Sequence, residues 1–196
     1  SHNLGQNFGK MFKIAFEPAS GGDRMIPWQT SWGLTTRTIG VAVMVHGDNK
    51  GLILPPRVAP IQVIILPIAK KDVEYESLLS YARGIEDQIR SVGIRVEIDE
   101  RQNYTPGWKF NHWEQKGVPL RLEVGARDVS SSQCRLVRRD TGAKFDVPLE
   151  NLGNYISSLL DEIQSSLFEK SKRERDEKIV QVLEWKDFVP ALNRHC

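Results

Sequence analysis

Cysteine is nearly missing from this chain. Cys134 and Cys196 are the only two in 196 residues. They stand far apart and outside any CxxC or other metal-ligand spacing, so neither a disulfide framework nor a zinc site is expected from them. His195 beside Cys196 does not make one either. Isolated thiols of this kind fit reduced cysteines in an intracellular protein. Long apolar runs are lacking as well. None reaches the roughly 18 residues that a membrane span needs, and the first residues lack the basic-then-apolar order of a secretory signal. The third absence is a charge excess. With 27 Lys and Arg against 25 Asp and Glu the formal net charge is +2. The chain is no polycation, and any contact with a nucleic acid has to come from a local patch.

What is present is ordinary soluble material, 40% hydrophobic and 27% charged, enough for one domain or one and part of another. The chain opens without Met and stops just after an apparent helix, so a fragment is expected. MFKIAF (11–16) reads as a short buried strand. Trp28 to Leu34 reads as another, closed by Gly33. In TTRTIGVAVMV (35–45), Gly40 and Ala42 suggest a helix pressed closely on a sheet, whereas propensity favours a strand. A loop ending in Pro55 and Pro56 follows. IQVIILPI (61–68) has the continuous branched pattern of a buried parallel strand. Leu78, Leu79, Ala82, Ile85, Ile89 and Val92 then recur at helical spacing, with Gly93 as the stop. IRVEID (94–99) and VPLRLEVG (118–125) alternate as strands, and 133–149 forms a hairpin turning at Thr141-Gly142. A long amphipathic helix or a pair of them follows, and the mixed-charge run 169–178 reads as its solvated face. The sum is an α/β protein with a small mixed sheet and a C-terminal helical segment.

Two places carry chemistry. Arg37 is one cation in an apolar or hydroxylated run. Burying it without an anion would cost several kcal/mol, so it either reaches the surface or meets a negatively charged ligand such as a phosphate. The second place is Asp99 to Arg127. It holds four aromatics, several bases and four carboxylates, and Gly107, Gly117 and Pro119 suggest side chains held at turns and strand ends. One reading is a base-reading surface for RNA. Phe110 or a Trp would stack a base, Glu114, Arg121 or Arg127 would bond its edge, and Lys109 or Lys116 would hold phosphates. The other is a hydrophobic loop with solvated charges on its rim.

Three strings now carry a resemblance: SHNLGQNFGKMF (1–12), TSWGLTTRTIGVAVMVHGDNKGLILPPRVAP (30–60) and NYTPGWKFNHWEQKGVPLRLEVGARD (103–128). Together they resemble the C-terminal half of prolyl-tRNA synthetases of the eukaryotic and archaeal type, collinearly over nearly the whole chain. The resemblance implies residues 1–59 as the end of a class II catalytic domain with an antiparallel sheet and the motif 3 helix. It implies 60–165 as an α/β anticodon-binding domain and 166–196 as a helical linker into a further domain. TTR is part of motif 3, so Arg37 would lie on the ATP phosphates as the catalytic cation, with Thr35 lining the nucleotide site. His2, Trp32 and Gly33 would line the proline pocket. Phe110, Glu114, Arg121, Arg127 and Lys144 would approach the anticodon.

The same resemblance implies proline–tRNA ligase activity in the parent protein: ATP with Mg2+ as substrate, L-proline and proline tRNA as partners, a cytoplasmic homodimer, and no zinc, membrane or DNA partner. Motifs 1 and 2 are not in this chain, so alone it is expected to be inactive. The family often has His where this chain has Asn3, and Pro where it has Ala126. A non-catalytic synthetase-like RNA-binding protein is the alternative. Histidyl, threonyl or glycyl synthetases share the domain order but would not be expected to carry these strings.

Overall fold

The structure, a computed structural model, describes residues 1–69 and 75–194. His195 and Cys196 lie outside the described residues.

Val63–Ile68 (β3) is central because its side chains are apolar on both faces, and its first five residues are buried. Such a strand cannot sit at an edge, and it does not. Tyr75–Ser91 (α3) carries the chain back to Val96–Ile98 (β4), parallel to β3 on one side. Pro106–Gln115 (α4) carries it over to Leu120–Gly125 (β5), parallel to β3 on the other. Ala126–Ser131 (α5) turns the chain into an antiparallel pair, Gln133–Arg138 (β6) and Lys144–Pro148 (β7). The order is β4-β3-β5-β6-β7, a mixed sheet of five strands. Leu152–Asp176 (α6) closes the larger core and Trp185–Asn193 (α7) follows.

Alternation on β5 decides what each face holds. Leu120, Leu122 and Val124 point with Val63, Ile65, Cys134, Leu136 and Val147 into a core shared with α3 and α6. Burial pushes the Cys134 thiol up to about 12, which leaves it an inert apolar filler. The opposite face is covered only in part: Ile64 and Leu66 pack under Trp113 and Phe110 of α4. Beyond α4 that face carries charges.

The chain divides after Val41 into two compact units. In the first, His2–Gly5 (β1) pairs antiparallel with Gln29–Ser31 (β2), and Asn7–Met11 (α1) lies between them in sequence. Arg37–His46 (α2) runs along the chain across the division.

Three expectations change. MFKIAF is not a buried strand: Met11 ends α1, and Met11, Phe12, Ile14 and Phe16 are exposed. Residues 35–45 do enter a helix, but Ile39, Val41, Val43 and Met44 are exposed. Its small residues therefore do not press on a sheet among the described residues. The Trp-rich segment is helical, not a set of turns. Thr105 accepts a hydrogen bond from the Trp108 backbone N–H and Pro106 opens the first turn, the two strongest local signals for a helix start.

Candidate nucleic-acid interface

Strand register lines up the charged face. Glu97, Ile64, Arg121, Val137 and Lys144 are successive partners across the five strands. Two residues along, Leu66, Glu123, Arg135 and Asp146 form the next row. Where α4 stops covering this face, its Phe110 and Glu114 meet Arg121. The guanidinium carbon lies 4.3 Å from the centre of the Phe110 ring. Arg121 Nη1 is 3.6 Å from Glu114 Oε1, and its Nε donates to Glu123 Oε1 at 2.9 Å. A ring, a cation and two carboxylates thus share one patch, mostly buried and therefore oriented, with Glu114 the most exposed of its charged groups.

Arg127 stands one step along this face, in a cleft of about 450 Å³ lined by Ile68, Glu123, Gly125 and Arg135 among others. Lys144 is exposed on the edge strand β7. So Phe110, Glu114 and Arg121 come into direct contact, Arg127 adjoins Glu123, and Lys144 shares their side of the sheet.

Sequence reasoning missed what holds Glu114 in place. Arg139, buried, donates through Nε to the Glu114 carbonyl at 2.9 Å and grips Asp48 with both terminal nitrogens at 2.8 and 2.6 Å. That grip holds the Asp48 carboxyl well below the usual range. The loop after α2 is thereby tied to the end of α4, and it brings Lys50 to 3.9 Å from Glu114. Leu52 and Leu54 add backbone bonds to Gln115 and Gly117. No local signal marks this clamp, because Asp48 and Arg139 are 91 residues apart.

The assignment of Lys109 to phosphates is corrected. Lys109 is 5% exposed; its Nζ donates to the Asp99 carbonyl at 2.9 Å and lies 3.7 Å from the carboxylate. Asp99 is a buried hub that accepts from Arg101 at 2.9 and 2.7 Å and from the Trp113 indole N–H at 2.8 Å. Burial alone would raise its carboxyl, but the bonds from Arg101 and Trp113 outweigh that and hold it well below the ordinary range. Trp113 is likewise core, whereas Tyr104 and Trp108 are exposed.

In the first unit His2 pairs with Ser31, beside Trp32, in the β1–β2 ladder. Trp32 donates to Thr30 Oγ1 at 3.1 Å and Gly33 faces open space. The Thr35 carbonyl accepts from the Thr38 N–H at the start of α2, whose first residue is Arg37. Arg37 is exposed and has no ion-pair partner among the described residues.

The family described as Anticodon binding domain matches residues 62–159, the stretch from β3 into α6. The cytoplasmic proline–tRNA ligase of Arabidopsis thaliana is 46% identical over 193 residues, covering 98% of this chain and 36% of the relative. A putative proline–tRNA ligase of Schizosaccharomyces pombe is 50% identical over 205 residues, 99% of this chain and 28% of the relative. A crystal structure of prolyl-tRNA synthetase from Cryptosporidium parvum, complexed with L-proline and AMP, superposes with a TM-score of 0.87 at 50% identity, over 98% of this chain and 41% of that one. The chain thus spans about a third of the length of these two curated relatives. On the collinear identity and the shared fold together, the chain belongs to the prolyl-tRNA synthetase family and contains that family's anticodon-binding domain.

Proposed function

We propose that this chain is the part of a proline–tRNA ligase that reads the anticodon and borders the adenylation site. The observation that carries the reading is the contact of Phe110, Glu114 and Arg121 on the open face of the sheet. Proline anticodons end in two guanines. A guanine offers N–H donors on one edge and O6 and N7 acceptors on another, so a carboxylate beside a guanidinium meets both. Glu114 would accept from the base, Arg121 would donate, and Phe110 would stack. Arg127 and Lys144 would reach the flanking nucleotides.

The domain limits proposed are 1–59 for the catalytic part, 60–165 for anticodon binding and 166–196 for a linker. In the whole protein the reaction would be attack of the proline carboxylate on the α-phosphate of ATP, then transfer to the tRNA. Arg37 would neutralise phosphate charge with Thr35 beside it, and His2, Trp32 and Gly33 would wall the proline pocket. Support comes from the solved Cryptosporidium parvum relatives, one with L-proline and AMP and one with halofuginone and AMPPNP. Mg2+ would arrive with the nucleotide. A cytoplasmic homodimer without zinc in this segment completes the proposal.

The test is Glu114→Ala against an anticodon stem-loop of proline tRNA. Discrimination between the guanine-bearing loop and a mismatched loop should fall by more than affinity at raised salt does. Equal losses for both loops would count against base reading. For the adenylation site, Arg37→Ala in the full-length protein should abolish most proline-dependent ATP–pyrophosphate exchange, and near-normal exchange removes the role.

A further inference from the structure

The side of α4 away from Phe110 and Glu114 carries a feature that base reading does not use. Trp108 and His112 fall at i and i+4 on α4, so their rings lie one above the other along the helix, and Tyr104, just before the Thr105 cap, adds a third ring from outside it. Tyr104 stacks on Trp108 at 3.8 Å and 13°, and Trp108 on His112 at 4.8 Å and 15°. Tyr104 is 38% and Trp108 40% exposed. A soluble surface seldom leaves a tyrosine, a tryptophan and an imidazole stacked and wet unless something flat covers them.

The surrounding charge says what that something is. The Arg101 guanidinium lies 5.2 Å from the Tyr104 ring centre and 5.1 Å from that of Trp108. Lys116 sits 4.7 Å from the Trp113 ring. The carboxylate at the base of the patch, Asp99, is already matched by Arg101 and Lys109, and Glu100 by Arg83. Lys116 has no carboxylate partner given by the structure among the described residues. The cleft beside the ladder is lined by Ile98, Asp99, Glu100, Arg101, His112, Trp113 and Lys116; both of its carboxylates are already paired with cations, which leaves Lys116 as the charge available to a ligand. Burial first, then Lys116 and Arg101, lower the His112 pKa, and Asp99 acts against them.

We propose that this ladder is a second RNA contact: an unstacked nucleotide adds its base to an end of the Tyr104–Trp108–His112 stack while its phosphate lies against Arg101 and Lys116. The proposal rests on the RNA reading above but not on guanine recognition. Every base has a face to stack, so this contact strengthens binding without choosing sequence. One helix would then divide the labour: Phe110 and Glu114 inspect two bases, and the opposite flank anchors a neighbouring nucleotide of the loop.

The test titrates proline-tRNA anticodon stem-loops, with the two guanines intact or replaced, against the full chain bearing Trp108→Ala, Trp108→Phe or Lys116→Gln. Trp108→Ala should weaken both loops by about tenfold, the scale of one lost stacking contact. Trp108→Phe should restore most of the loss, and Lys116→Gln should reduce the salt dependence by about one phosphate. A folded Trp108→Ala protein that binds both loops as wild type does overturns the proposal, including in favour of a protein occupant of the ladder. If wild type fails to distinguish the two loops while Trp108→Ala still weakens both, the guanine reading falls and the ladder stands. Lys116 is exposed, so an unchanged salt slope for Lys116→Gln overturns the phosphate contact even if Trp108→Ala misfolds.

Discussion

A carboxylate with no exposed side-chain surface is tolerable only when its charge is met, and Asp99 is met three ways, by Arg101, Lys109 and the Trp113 N–H. Removing it would strand a buried ammonium and orphan an indole N–H. Asp99→Ala should therefore cost about 3–5 kcal/mol, the range for breaking a buried pair, read from a denaturant midpoint with unchanged slope. A loss below 1 kcal/mol would mean that water or another anion replaces the carboxylate. The sign of the acid response follows. The folded-state pKa values of Asp99 and Asp48 lie below their unfolded values. Their stabilisation is fully present above the unfolded carboxylate pKa of about 3.9 and is lost as pH falls towards the folded values. Asp99→Ala should flatten that acid limb, and an unaltered limb would show that other carboxylates set it.

Helices and turns depend on a few positions with opposite demands. Gly84 lies inside α3 and a Cβ there would meet nothing within 4 Å. Gly84→Ala should raise stability by about 0.5–1 kcal/mol, since Gly is the poorer helix former. Gly117 ends the α4 region at φ +72°, and a Cβ would lie 2.6 Å from the Leu52 Cβ and 2.7 Å from its backbone carbonyl. Gly117→Ala should destabilise by well over 1 kcal/mol, and it should loosen the loop that carries Lys50. A shift in thermal midpoint of the same sign for both would contradict this account.

The same elements show what was legible from sequence. Strict alternation exposed β5, and a branched run between prolines exposed β3, because burial on one or both faces leaves a period in the chain. Gly107 suggests a break inside α4, but the cap at Thr105 and Pro106 is the stronger local signal and the helix runs through the glycine. Phe110, Glu114 and Arg121 stand out in the sequence as an aromatic, a carboxylate and a cation close together, whereas their mutual contact is visible only in the structure. The Asp48–Arg139 clamp and the burial of Lys109 depend on contacts between distant segments, which no local pattern records.

At the scale of the molecule, the two compact units differ in what they bury. The second has a continuous core of twenty buried residues between its sheet, α3 and α6. In the first, Gly9 is the only residue classed as buried among the described residues of Ser1–Val41, and Trp28, Trp32, Leu34 and Ile39 are exposed. Stability follows buried apolar surface, so local opening should be far cheaper in the β1–β2 ladder than in β3. Native-state hydrogen exchange on this chain should find β3, β5 and β6 amides exchanging only with global unfolding, and β1–β2 amides exchanging by a separate, lower-energy opening. Denaturant should accelerate the first set and scarcely affect the second. If His2 to Gly5 proved as protected as Val63 to Ile68, the first unit would owe its order to something other than its own packing, and the exposed tryptophans would have to be counted as covered.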